Sequence, residues 1–175
     1  MAAGFPSGAS AKDLLKAMKE GALQDQEQLR YLRTCDVTTE TLGPIHNEPC
    51  LWLVWKGSPE EPQFSEGGGA PSSRARVLTH VVEVVCVVMT ASPYSDGPIM
   101  GSGREVGLAQ FVDDVIGFYS SNTFGITALN AAQGPTINLP DGAVSTFQVE
   151  DNDRLSWLVE ARLRYEAVTR PFKRV

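Results

Sequence analysis

A carboxylate set into an apolar strand is a candidate general acid, and Glu83 is such a group. It lies in Val77 to Thr90, VLTHVVEVVCVVMT, beside His80 and Cys86. Burial there raises a carboxyl pKa, whereas a cationic neighbour opposes the rise and makes the group an ion-pair member. The abundance of arginine in the last strand favours the ion pair. Gly101-Ser-Gly103-Arg-Glu-Val-Gly107 precedes a helix, as phosphate loops do. Its third glycine falls one place late for a dinucleotide loop. No strand leads directly into it, so it reads as a loop and a helix start. Cys35, His46 and Cys50, with His80 or Cys86, contain the donor types zinc prefers, but no paired ligand spacing. Asp113 and Asp114 are adjacent on a helix, so they diverge by about 100° and do not converge on one substrate. The two histidines, His46 and His80, lie in no recognisable nucleophile setting. The expectation is no catalytic, cofactor-binding or metal site, and no enzyme.

The elements that would position these groups follow from composition and periodicity. The length of 175 residues suits one domain spanning 1–175. A net charge of −6 disfavours non-specific attraction to nucleic acid or anionic lipid. Basic and aromatic residues interleave from Arg162 to Lys173, but Glu160 and Glu166 break the pattern, so no sequence-specific nucleic-acid groove is expected. Three cysteines without framework spacing point to a reducing compartment. The start, MAAGFPSGAS, has neither the basic nor the apolar region of a signal peptide. No apolar run reaches the roughly 18 residues of a membrane helix.

Residues 1–9 form an N-terminal arm. Ser10 caps a helix from Ala11 to Gly21 with a Leu14, Leu15, Met18, Ala22 stripe, and Asp25 caps a further turn. Strands are expected at Cys35 to Thr41 and Cys50 to Lys56. Trp52 and Trp55 point to opposite faces of the second, so one of them is a candidate contact residue. Residues 57–74 form a long flexible loop and 91–102 a second loop. The main helix runs from Arg104 to Ser120, with short strands at Thr136 to Leu139 and Val144 to Val149. Arg154 to Arg170 alternates apolar and charged residues. At more than about 50 Å such a strand calls for a bulge or bend.

The fold class expected is α+β, a mostly antiparallel sheet with two helices packed on one face. The valine strand is apolar on both sides. If it neighbours the last strand, the far sheet face collects Val81, Glu83, Val85, Arg162, Arg164 and Glu166. That face is too apolar to leave wet and too charged for a core, so these six are candidate subunit-interface residues. Cover by the chain's own long loops is the alternative.

The order AKDLLKAM, PCLWLVW, a long loop, THVVEVVCVVMT, EVGLAQFVDDVIGFY and RLSWLVEARLRYEAV resembles the tail terminator proteins of long-tailed bacteriophages. The resemblance covers about residues 10–170 and rests on order and pattern. It implies a structural virion protein made in the host cytoplasm. Such a protein forms a homo-oligomer, a hexameric ring at the head-proximal end of the tail. The ring ends tube polymerisation and joins the tail to the neck. Its partners would be the tail tube protein and a neck or connector protein, with no membrane role. Related sheets occur in neck connectors and tail-tube subunits. A small-molecule-binding or enzymatic α+β domain, with a pocket lined by Glu83, His80 or Cys86, is the reading of a different class.

Overall fold

A computed structural model of the chain describes residues 10–39, 49–62, 75–90, 97–101, 105–151 and 154–173. In chain order, the first elements are α1 (Ala11–Gln24), β1 (Thr34–Thr38), β2 (Cys50–Gly57), β3 (Glu60–Pro62), β4 (Ala75–Thr90) and α2 (Gly97–Met100). Then come α3 (Leu108–Tyr119), β5 (Thr136–Asn138), β6 (Val144–Asp151), β7 (Arg154–Val168) and β8 (Phe172–Lys173). The fold is α+β.

The valine-rich β4 is the central strand, and β2 and β7 flank it, both antiparallel. β1 extends the sheet beyond β2 as a parallel neighbour. β6 and β5 share the outer side of β7 end to end. The short β3 and β8 clasp the first residues of β4 from either side.

Local chemistry explains the helix limits. Ser10 Oγ accepts a hydrogen bond from Asp13 N at 3.1 Å, and Asp13 sits in the positive first turn of α1. Leu14, Met18 and Ala22 make its buried stripe. The helix runs on to Gln24, past its expected end at Gly21. Gly21 is a packing residue: a Cβ there would sit 3.1 Å from the Phe124 ring. Asp25 then takes the amides of Leu29 at 2.6 Å and Glu27 at 3.3 Å, which organises the next turn as expected.

α3 starts at Leu108, later than the expected Arg104, because Gly107 is its cap. A side chain at Gly107 would collide with the backbone of Ile99, Met100 and Gly101. Gly101 has a positive φ of 79°, which favours glycine. These two glycines therefore let α2 and α3 meet backbone to backbone. Parts of the two expected loops are ordered elements: Glu60–Pro62 is strand and Gly97–Met100 is helix. Residues 63–74, 91–96 and 102 of those loops, residues 1–9 and His46 lie outside the described residues.

α1 and α3 cover one sheet face. Leu51 and Leu53 of β2, Val82, Val84 and Cys86 of β4, and Ala161, Leu163 and Tyr165 of β7 pack beneath them. The Tyr119 hydroxyl donates to the Met18 carbonyl at 3.0 Å and ties the helices together. Asp114 lies off that face and accepts from the Tyr31 hydroxyl at 2.9 Å. Burial first, and then this bond, push the Tyr31 pKa well above the usual phenol range.

The opposite face carries a second apolar cluster: Cys50, Trp52, Val54, Val85, Val87 and Leu158. Leu158, an exception to the alternation of β7, fills this cluster. The β4–β7 pairing runs from Thr79 opposite Val168 to Thr90 opposite Trp157 without a register shift. The expected bulge is instead in β2, between Trp55 and Gly57.

Candidate interaction surface

The cross-strand register unites the six residues singled out in the sequence. Val81 faces Glu166, Glu83 faces Arg164, and Val85 faces Arg162, in consecutive pairs on the sheet face away from the helices. Their accessibility differs. Val85 is 0% exposed and Val81 is buried, whereas the Arg164 side chain is 57% exposed. The expectation that neighbouring copies must shield this face therefore fails over the middle of β4. Trp52, Val54 and Leu158 close around Val85 and Val87 within one chain. Leu158 places an apolar side chain in the polar register of β7 and joins this cluster.

Arg162 organises the charged part of the face. Its Nε donates to Glu160 Oε1 at 2.6 Å and its Nη2 to Glu160 Oε2 at 3.2 Å, a two-point grip on a carboxylate with 1% exposure. Its Nη1 donates to Glu83 Oε1 at 2.6 Å. Lys56, on the same face of β2 as Trp52 and Val54, approaches the same oxygen at 3.4 Å. Burial alone would lower the Arg162 pKa. Hydrogen bonds and attraction to Glu160, and then to Glu83, outweigh it, so the pKa is raised and the guanidinium stays charged. Glu83 thus pairs diagonally with Arg162, and Arg164 turns along its own strand to Glu166 at 2.6 Å. A cleft of about 300 Å³ lies above, lined by Lys56, Val81, Glu83, Pro140, Arg162 and Arg164.

The other candidates for chemistry do not converge on this cleft. Glu83 faces away from the helices, while His80 and Cys86 face toward them. The three therefore do not line one pocket. Cys35 belongs to the helix-side core and Cys50 to the opposite cluster. Among the described residues no His, Cys, Asp and Glu group is arranged to hold a metal ion. His80 is buried, and its Nδ1 lies 2.6 Å from Ser58 Oγ, which accepts from Trp55 Nε1 at 3.1 Å. Ser58 is thereby a link between β4 and the half-exposed Trp55. Of the two tryptophans, Trp55 is the one available for contact.

Burial pushes the Cys35 and Cys50 thiols up to about 12, and Cys86 is also raised. Between the ordinary thiol pKa and 12, the unfolded chain releases protons that the folded chain keeps, so stability falls as pH rises through that window. At pH 8, alkylation of the folded protein is expected to be slow. All three thiols should react once urea unfolds it, and mass spectrometry of iodoacetamide-treated samples checks both statements.

The feature that sequence reasoning missed is the outer edge of β6. Val144 is 49% exposed and Phe147 is 45% exposed, on opposite faces of the strand, and Leu155 beside it is 64% exposed. Among the described residues no strand pairs with that outer edge. The signal was present in Val144-Ser-Thr-Phe147-Gln-Val149, whose apolar residues fall on both faces of the strand; Val149 packs against the second apolar cluster, while Val144 and Phe147 stay exposed. Among the described residues no helix is long and apolar enough to cross a membrane. No protein-family model matches the chain, and no curated protein matches it.

Proposed function

We propose that the chain is a structural virion subunit that assembles with copies of itself into a ring at the head-proximal end of a phage tail. There it ends tube polymerisation and joins the tail to the neck. Its work is geometric, and its charged sheet face is a scaffold rather than a catalytic centre. The observation that carries this reading is the open edge of β6, with Val144, Phe147 and Leu155 presenting large apolar surface. An exposed apolar edge strand is an aggregation hazard unless another chain adds to it. The place in the tail is supported by the element order: capped helix, tryptophan strand, valine strand, second helix and long alternating strand.

Two measurements test the reading. Sedimentation velocity at tens of micromolar should show an oligomer for the native chain and a monomer for Phe147→Asp. Because Phe147 is half exposed, that variant should keep its folding stability to within about 1 kcal/mol. A monomeric native chain, or a Phe147→Asp variant that still assembles, counts against it. Immunogold labelling of intact particles should mark the head–tail junction. Label distributed along the tube, or absent from the particle, would remove the proposed station.

A further inference from the structure

We infer that the edge of β6 is received by β1 of the next copy, so that neighbouring sheets join antiparallel with Glu150 of one copy beside Arg33 of the other. This inference rests on the self-assembly proposed above and names the partner strand.

Strand direction comes first. β2 runs parallel to β1, β4 opposes β2, β7 opposes β4, and β6 opposes β7. β1 at one side of the sheet and β6, which shares the other side with β5, therefore run in opposite directions. Copies related by rotation, with helices on the same side, bring β6 against β1 in the antiparallel sense. The contact joins two different edges. It is heterologous, and it closes into a ring when the rotation closes.

Charge selects the same partner and orientation. β6 ends on Glu150 and Asp151 and contains no cation, while Arg30 and Arg33 precede β1. Antiparallel pairing places the acidic end of β6 at the basic start of β1. Arg33 is held there, its Nη1 donating to the Arg30 carbonyl at 2.7 Å and the Leu32 carbonyl at 3.2 Å. Both Arg33 and Glu150 are exposed.

Side-chain parity agrees. Val144 faces Ala161 of the helix-side core, so Thr146 and Glu150 share that face. Cys35 lies in the same core, so Val37 alternates onto that face as well, and Arg33 directly precedes Thr34 at the start of the strand. Setting Arg33 opposite Glu150 sets Val37, 47% exposed, opposite Thr146. Asp36 and Thr38 alternate onto the other face, so the pairing uses the strand edge and the helix-side chains.

The test uses the full-length chain. Sedimentation velocity compares the native protein with Glu150→Arg, Arg33→Glu and the double swap, each checked for fold by circular dichroism. Each single reversal is expected to weaken association by about tenfold or more, most strongly at low salt, and the double swap should restore it. Separately, Val37→Cys and Thr146→Cys chains are mixed and oxidised. The native cysteines are buried, so a heterodimeric disulfide should form only in the mixture. A native oligomer indifferent to the charge reversals, with no cross-link in the mixture, would overturn the β1–β6 pairing and leave self-assembly standing. A native chain that stays monomeric would overturn both.

Discussion

Replacing Trp52 with alanine is expected to lower folding stability by about 3–5 kcal/mol, the usual cost of emptying a large aromatic site in a packed core. Trp52 is fully buried on the sheet face away from the helices, in the cluster of Cys50, Val54, Val85, Val87 and Leu158. The companion Trp55→Ala should lose about 1 kcal/mol or less, as surface substitutions do, since Trp55 is half exposed and its indole nitrogen donates to the nearby Ser58 hydroxyl. Urea titration of the two variants, with far-ultraviolet circular dichroism as the probe, reads both values. A small loss at Trp52 would mean that the second cluster is loosely closed in the isolated chain. The original reason for expecting a neighbour on that face would then return. Fluorescence gives an independent reading: acrylamide should quench Trp55 readily in the native protein and leave Trp52 protected.

Arg162→Met is expected to cost about 2–4 kcal/mol. Breaking one side of a fully buried pair costs about 3–5 kcal/mol, because the surviving charge keeps its desolvation penalty without its partner. Glu160 meets that condition at 1% exposure, but the Arg162 side chain is 20% exposed, so water recovers part of the loss. The methionine keeps much of the aliphatic volume, which isolates the charge effect from a packing defect. Adding Glu160→Gln to Arg162→Met should restore most of the stability by removing the stranded carboxylate. That recovery separates an ion-pair role from a purely steric one. By contrast, Arg164→Met should cost about 1 kcal/mol or less. Its pair with Glu166 is half in solvent, where ion pairs contribute about 0–1 kcal/mol.

These two variants probe the two devices that close the far face of β4. One is the insertion of Leu158 and Trp52 against Val85 and Val87. The other is the Glu160–Arg162–Glu83 chain, extended by Lys56 from the β2 bulge. Together they allow a strand with valines on both sides to sit inside one chain. In the assembly proposed above the contact therefore falls at the edges of the sheet, where β6 and β1 run in opposite directions and carry opposite charge nearby, rather than on its face. An edge contact can form without disturbing either core.

Much of the fold was legible because local signals agreed with one another. The valines of β4 and the period-two pattern of β7 announce strands. The Ser10 cap with Leu14, Met18 and Ala22 announces a helix, and the stripe of Leu108, Phe111, Val112, Val115 and Tyr119 announces another. The six far-face residues could be placed together because antiparallel neighbours with fixed alternation leave little freedom of register. Less legible were the short strand at Glu60–Pro62 and the short helix at Gly97–Met100. Each is stabilised by a distant partner, β4 in the first case and the start of α3 in the second.

By itself, the sequence determined where the long strands and the two main helices form, which of their residues share a face, and that Glu83 would meet an arginine of the last strand once the two strands are neighbours. Those properties depend on backbone preference and on the two-residue and 3.6-residue periods, which are local. Only the tertiary structure decided that Val85 is sealed, that Arg162 rather than Arg164 takes Glu83, and that β6 is left at an open edge. Burial and pairing are properties of three-dimensional neighbours. Leu158 lies far along the chain from Trp52 and Val85, and Lys56 reaches Glu83 from a different strand.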